Sequence, residues 1–109
     1  MSDVKNRIQE AVSGAPVVIF MKGSPMLPQC GFSATAIEVL KRAGAPTPTA
    51  VDVLLDPDIR QGIKEFTGWP TIPQVFVGGE FIGGSDILRE LYEKGELAQK
   101  ITAAASTAA

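Results

Sequence analysis

The sequence predicts an α/β protein in which a central four-stranded mixed sheet is flanked by helices on both faces. Three observations favour this class. Two short apolar strands are each followed by a helical pattern, an order typical of parallel β-α-β units. A third and a fourth strand are separated only by Gly78-Gly79, the length of a tight hairpin turn, and therefore run antiparallel. A further helical pattern precedes the first strand.

Periodicity and turn residues place the individual elements. Short apolar runs or alternation predict strands at 17–20, 49–53, 74–77 and 80–82. Helices are expected before Gly14 and at 31–43, 57–67, 87–94 and 96–104. Asp56 and Pro57 are typical of the N-cap and first position of a helix. The side chains of the second helix that are expected to face inward are Phe32, Ala36, Ile37, Leu40 and Ala43.

Length and composition restrict the function. With 109 residues, 45% of them hydrophobic, the chain can bury a core and is expected to form one domain over 1–109, with 105–109 as a frayed tail. A net charge of −2 predicts no nucleic-acid partner, and no apolar run is long enough for a membrane span. The single cysteine and the lack of a secretory-type segment favour a reducing, cytoplasmic location. Because histidine is absent, Cys–His nucleophile pairs and histidine-ligated metal sites are excluded.

Cys30, the one thiol, lies between a loop and the predicted start of the second helix. The unpaired N–H groups and the dipole at a helix start stabilise a thiolate, which is the reactive and metal-binding form. Lys22 supplies a cation at the other end of the same loop. These neighbours favour an activated cysteine, and the alternative is a small buried cysteine that only fills space.

Three further groups of residues have the chemistry of a binding site. A proline in Thr71-Ile72-Pro73 would, if cis, leave the preceding backbone free to pair with an extended peptide. Gly83-Gly84-Ser85-Asp86 could hold a carboxylate at a helix start, and Arg60 with Lys64 could bind a second one. Each group also has a purely structural alternative. Pro73 could be an ordinary trans proline, residues 83–86 could only cap a helix, and Arg60 and Lys64 could lie on a solvated helix face. Together with the thiol, these groups describe a groove for a small dianionic peptide.

The run MKGSPMLPQCGFS, from Met21 to Ser33, resembles the signature of the CGFS-type monothiol glutaredoxins. The segments 69–77 and 83–86 are similar to later motifs of that family in the same order, and the likeness extends over about residues 4–101. The resemblance implies a thioredoxin-like fold with Pro73 in cis. It also implies that the protein binds glutathione, and that two protomers with two glutathiones hold a bridging [2Fe–2S] cluster through Cys30.

The resemblance also implies a role for each site residue. Cys30 would be the iron ligand and, in any redox reaction, the nucleophile. Lys22 would steady the thiolate or the glycine carboxylate of glutathione, which Arg60 would also meet. The backbone of Ile72 would pair with the cysteinyl unit, and the γ-glutamyl end would be met by Ser85 and Asp86. Many relatives have a second cysteine where this chain has Ser85, so an internal disulfide to that position is excluded here.

Three functions follow from these residues. The first is a carrier for iron–sulfur cluster transfer or assembly, a homodimer when the cluster is bound and a monomer as apo protein, acting on recipient proteins and with a BolA-like partner. The second is a glutathione-dependent thiol-disulfide oxidoreductase that uses Cys30 for deglutathionylation. The third is a thioredoxin-like domain with an inert thiol. Ser33 occupies the position of the second thiol of a Cys-x-x-Cys motif, which favours the carrier without excluding a monothiol reaction.

Overall fold

The computed structural model describes residues 2–107 and contains the predicted elements in the predicted order. The helices are α1 Ser2–Ser13, α2 Gly31–Arg42, α3 Pro57–Thr67, α4 Ser85–Glu93 and α5 Glu96–Thr107. The strands are β1 Val17–Met21, β2 Thr49–Asp52, β3 Gln74–Val77 and β4 Glu80–Gly83. Among residues 2–107, no helix has both the length and the apolar character needed to cross a lipid bilayer.

The four strands form one mixed sheet in the order β2-β1-β3-β4. Strand β2 pairs parallel with β1, whereas β3 pairs antiparallel with β1 and with β4. The turn between β3 and β4 is formed by Gly78 and Gly79, whose φ values of 62° and 80° are tolerated best by glycine. The predicted mixed sheet and hairpin are therefore confirmed.

The sheet separates two hydrophobic clusters. Successive side chains of β1 alternate between them, with Ile19 in one and Phe20 in the other, and all five residues of this central strand are buried. Helices α2, α4 and α5 cover the first cluster, and α1 and α3 cover the second. Burial of a side chain such as Phe20 is worth about 1.5–3 kcal/mol, so this two-sided cover stabilises the strand that leads to the thiol.

Two predicted helix boundaries are corrected. Helix α4 begins at Ser85 with Gly84 as its N-cap, so Ser85 and Asp86 lie in the first turn and do not cap it. The backbone N of Leu88 donates to the Gly84 carbonyl at 3.0 Å, so the helical hydrogen bonds already begin at Gly84. A Cβ at Gly84 would lie 3.2 Å from the Pro73 carbonyl oxygen, which leaves little room for a larger residue at this N-cap. Helix α5 continues to Thr107 instead of fraying from Ala105, because alanine favours helix and no glycine or proline intervenes. Residues 108 and 109 of the predicted tail lie outside the described residues.

Candidate functional site

Cys30 is the N-cap residue of α2. Its backbone is extended, with φ −151° and ψ 138°, and its carbonyl accepts the first helical hydrogen bond from Ala34 N, at 2.9 Å. The backbone N–H of Ser33 is the largest influence that lowers the pKa of Cys30 below its usual value. The N–H of Phe32 and the charge of Lys22 lower this pKa further, and partial burial opposes them. The thiol is partly exposed, so it combines thiolate character with access.

Ser33 takes the place of a second thiol and is fully buried. Its hydroxyl oxygen accepts a hydrogen bond from the backbone N of Lys22, at 3.1 Å. This bond joins the end of β1 to the first turn of α2. Position 33 therefore holds the loop and the helix together, and Cys30 has no partner thiol in the chain.

The seven residues between Lys22 and Cys30 form a closed loop. The carbonyl of Lys22 accepts from Gln29 N at 2.8 Å, so the two ends of the loop lie side by side. Gly23 has φ 90°, and a Cβ there would approach the Leu27 carbonyl oxygen to 2.5 Å, so the loop requires glycine. Loop closure explains why the charge of Lys22 acts on Cys30 despite their separation in sequence.

Asp52, at the end of β2, anchors this loop to the sheet. One carboxylate oxygen accepts from the backbone N of Gly23 and of Leu54, both at 3.0 Å. The sequence marks Asp52 only as an acidic residue at the end of an alternating strand, so its role as an anchor could not be predicted. The tip of the anchored loop exposes Met26 and Leu27, which are 93% and 67% exposed.

A cleft of 260 Å³ lies beside the start of α2, at the first turn of α4. It is lined by Phe32, Trp69, Thr71, Ile72, Pro73, Gly84, Ser85, Asp86 and Ile87. The structure thus brings together Ile72, Ser85 and Asp86 of the predicted site residues. The Ile72–Pro73 peptide bond is cis, as the family resemblance implied.

Phe32 was expected to face the core but is 64% exposed. It lies on the same helical face as Ala36 and Leu40, which are fully buried. In the first turn of α2 this face borders the cleft and not the sheet, so Phe32 becomes part of the cleft wall. The prediction of an inward Phe32 was therefore wrong, and periodicity could not reveal where the core ends.

Arg60 is partly buried on α3 and does not line the cleft. Arg60, Lys64 and Thr67 are spaced along one face of the helix. The hydroxyl of Thr67 lies 2.9 Å from the side-chain oxygen of Gln74, whose amide bonds to the carbonyl of Trp69 in the cleft wall. Thr67 is thus connected to the cleft wall through Gln74, and Arg60 lies about 10 Å along the helix axis from Thr67.

Two larger surface grooves lie between α1 and α3 and between α2 and α4. Neither contains Cys30, Lys22, Arg60 or a residue of the cleft wall. Among residues 2–107, no group of three or more histidine, cysteine, aspartate or glutamate side chains could hold a metal ion. Of the predicted site residues, Ile72, Ser85 and Asp86 line the smaller cleft, Lys22 and Cys30 lie at the two ends of the closed loop, and Arg60 lies outside the cleft on α3.

The sequence profile of the glutaredoxins matches residues 17–82, more than half of the chain, including β1, Cys30 and most of the cleft wall. The chain belongs to the glutaredoxin family. This glutaredoxin is 52% identical over 102 residues to the monothiol glutaredoxin ycf64-like protein of Synechocystis sp., covering 94% of each chain. It is 48% identical over 99 residues to the mitochondrial monothiol glutaredoxin-5 of Saccharomyces cerevisiae, covering 89% of this chain and 66% of that one. It is 46% identical over 101 residues to glutaredoxin 4 of Escherichia coli, covering 93% of this chain and 87% of that one.

Solved glutaredoxin structures share the fold. Reduced apo GrxS14 of poplar superposes on the glutaredoxin with a TM-score of 0.82 at 43% identity, covering 94% of each chain. The holo form of glutaredoxin C1 from Populus tremula x tremuloides superposes with a TM-score of 0.85 at 29% identity, covering 95% of this chain and 91% of that one. A buckwheat glutaredoxin in complex with glutathione superposes with a TM-score of 0.84 at 26% identity, covering 95% of this chain and 92% of that one. The predicted thioredoxin-like fold and the predicted monothiol glutaredoxin family are confirmed.

Proposed function

We propose that this glutaredoxin binds glutathione and carries a [2Fe–2S] cluster between two protomers for iron–sulfur cluster transfer or assembly. The observation that carries the proposal is a single, partly exposed thiol with a lowered pKa in a chain without histidine. A [2Fe–2S] cluster is commonly held by four thiolates. Two copies of Cys30 supply two of them, and two glutathione thiols complete the set.

The cleft has the chemistry to hold glutathione, a tripeptide with two carboxylates. The first turn of α4 offers free backbone N–H groups to the γ-glutamyl carboxylate, and the Asp86 carboxylate complements the neighbouring ammonium. The backbone of Ile72 would pair with the cysteinyl unit. Arg60 and Lys22 form no salt bridge among residues 2–107, which leaves both cations for the glycine carboxylate. The structure of a buckwheat glutaredoxin in complex with glutathione supports glutathione as the ligand.

The partly exposed, lowered-pKa thiol also favours a second function, glutathione-dependent oxidoreductase. The Cys30 thiolate would attack the glutathione sulfur of a glutathionylated protein, and the old S–S bond would break to release the protein thiolate, which takes up a proton. A second glutathione thiolate would then attack the Cys30–glutathione disulfide, forming oxidised glutathione and restoring the thiolate. Glutathione must do this because Ser33 cannot act as a resolving thiol.

The proposed partners follow from the ligand set. The cluster-bound form would be a homodimer and the apo protein a monomer, with iron–sulfur recipient proteins and a BolA-like partner as further contacts. Apolar side chains are exposed on the loop before Cys30 and in the helical turn after it, at Met26, Leu27 and Phe32, and they support a protein contact at this end of the molecule. A reducing compartment such as the cytoplasm would keep the single thiol available.

Anaerobic reconstitution with iron, sulfide and glutathione tests the proposal. The wild-type protein should acquire visible absorbance and bound iron, and Cys30→Ser should lose both because the only protein thiolate is removed. Circular dichroism should show that the variant is folded. Iron retained by Cys30→Ser at the wild-type ratio would contradict the ligand assignment. A colourless wild-type protein that rapidly reduces glutathionylated substrates would favour the oxidoreductase.

A further inference from the structure

We propose that Gln74 is a positioning residue that orients the wall of the glutathione cleft formed by residues 69–73. This inference rests on the proposed function, since it takes the cleft to be the glutathione site. Gln74 does not line the cleft and is fully buried, so any effect on a ligand must pass through the residues it contacts.

Gln74 is the first residue of β3, opposite Phe20 of β1. Its amide nitrogen donates to the carbonyl oxygens of Trp69, at 2.9 Å, and of Thr71, at 3.2 Å. Its side-chain oxygen lies 2.9 Å from the hydroxyl of Thr67. A buried amide needs partners for both ends, and this one directs its two donors at a single short segment.

That segment depends on side chains for its backbone hydrogen bonds. Two of its five residues are prolines, which have no N–H to donate. The backbone N of Trp69 donates to the Thr67 hydroxyl at 3.0 Å, and the Trp69 and Thr71 carbonyls accept from Gln74. Gln74 and Thr67 thus hold the segment at both sides of Pro70.

The consequence reaches the ligand through Ile72. Thr71 and Ile72 both line the cleft, and the backbone of Ile72 is proposed to pair with glutathione. A rotation of the Thr71–Ile72 peptide would turn this backbone away from the tripeptide. Because the Thr71 carbonyl is held by Gln74, the amide restricts that rotation before glutathione arrives, which lowers the entropic cost of binding.

Two variants of Gln74 test this role. Gln74→Met keeps the length of the side chain but removes both donors, and Gln74→Glu places an oxygen against the two carbonyls. Val75→Ala is the matched control. Val75 is the next residue of β3 and is equally buried, but its side chain lies on the other face of the sheet, in the cluster covered by α2, α4 and α5. Thr67→Val is a milder change, which removes only the hydroxyl that contacts Gln74 and the backbone N of Trp69. If both Gln74 variants fail to fold, Thr67→Val tests the positioning role in their place.

Glutathione binding to apo protein can be followed by NMR titration, and Trp69, the only tryptophan, reports the segment by its fluorescence. The Gln74 variants should bind about tenfold more weakly and shift the Trp69 emission, because carbonyls that lose their donors let the segment move. Thr67→Val should change both readouts in the same direction by less. Val75→Ala should lower the melting temperature but keep the wild-type affinity and emission.

The outcomes separate this inference from the proposed function. Wild-type affinity in the Gln74 variants, or in Thr67→Val if only that variant folds, overturns the positioning role and leaves the glutathione site intact. A loss of affinity in Val75→Ala equal to that in the Gln74 variants also overturns it, because general destabilisation would then explain the effect. No binding by the wild-type protein overturns the glutathione site and this inference with it.

Discussion

At the scale of the residue, the reactivity of Cys30 comes from neighbours of two kinds. The N–H groups of Ser33 and Phe32 are local and follow from placing a cysteine at a helix start. Lys22 acts on the thiol because the loop is closed. The Lys22 carbonyl accepts a hydrogen bond of 2.8 Å from the backbone N of Gln29, the residue before Cys30. Because the helix start is the larger cause, the thiol should stay activated even when the lysine is removed.

The first prediction concerns the thiolate of Cys30. In the apo protein, its pKa should lie below that of an unstructured cysteine, and Lys22→Gln should raise the pKa part of the way back because a cation is lost. Absorbance of the thiolate and the rate of alkylation, each against pH, measure it. Lys41→Gln on the exposed side of α2 is the charge-matched control. Equal shifts in the two variants would contradict a specific role for Lys22.

The same shift predicts how stability depends on pH. A folded-state pKa below the unfolded one means that the unfolded chain binds more protons between the two values. The thiolate contribution should therefore be complete above the unfolded pKa and disappear as the pH falls through the folded pKa. Denaturant unfolding can be measured for the wild type and for Cys30→Ser at pH values between the two pKa values. The free energy of unfolding should rise with pH in the wild type, and Cys30→Ser should lack this rise.

At the scale of the element, α3 shows how one side chain can serve two contacts. Asp56 accepts from the backbone N of Ile59, at 3.2 Å, and so caps the helix. It also forms an ion pair with Arg7 of α1. The two helices approach closely where a Cβ at Gly62 would come within 2.6 Å of a Val4 methyl group. The capping carboxylate therefore also ties α1 to the layer that supports the site.

The second prediction separates these two contacts. Asp56→Asn keeps an oxygen for the cap but loses the charge, whereas Asp56→Ala loses both, so melting temperatures near neutral pH should fall in the order wild type, Asn, Ala. The hydrogen bond from Arg7, then that from Ile59, lowers the pKa of Asp56 below its usual value. Its stabilising effect should therefore be present above the unfolded pKa and vanish as the pH falls through the folded pKa.

Thermal unfolding by circular dichroism between neutral and acidic pH measures this effect. Arg7→Gln is the matched variant, since it removes the ion pair and leaves the cap in place, and it should behave like Asp56→Asn. Equal melting temperatures for the Asn and Ala variants would show that the cap adds nothing. A wild-type acid transition that survives in Asp56→Asn would assign it to another carboxylate.

At the scale of the whole molecule, one thiol per chain determines the stoichiometry of any four-thiolate cluster. No single protomer can supply more than one cysteine, and within residues 2–107 no cluster of other metal ligands substitutes for it. Under the proposed function, half of the cluster ligands belong to glutathione and are not covalently attached. A carrier built this way can release its cluster without unfolding.

The corresponding prediction is an assembly that depends on glutathione. The coloured protein should be a dimer containing two glutathiones, the apo protein should be a monomer, and gel filtration without glutathione should bleach the cluster. Native mass spectrometry with iron analysis measures all three species. A coloured monomer would contradict the shared site, and a coloured dimer that retains its cluster without glutathione would contradict glutathione as a ligand.

Local sequence patterns were enough to predict the type and order of the elements and the helix start at Cys30. The cap at Asp56 and the turn at Gly78-Gly79 were predicted directly, because capping and turn formation act over a few neighbouring residues. Cys30 was placed correctly at the start of α2 for the same reason. The family resemblance added the thioredoxin-like fold, which the structural comparisons confirm.

Which side chains support the site became apparent only in the folded molecule. The exposure of Phe32 depends on where the core ends, and the close approach of Gly84 to the Pro73 carbonyl is likewise a feature of the folded chain. Asp52 holds the loop through Gly23, 29 residues away in sequence, and no local pattern marks that bond. Gln74 likewise reads as an ordinary strand residue until its amide is seen between two carbonyls of the cleft wall. The Asp52–Gly23 bond joins segments that only folding brings together. The carbonyl partners of Gln74 are only three and five residues away in sequence, but the path of the chain through 69–73 directs its amide at them, and no sequence pattern marks that path.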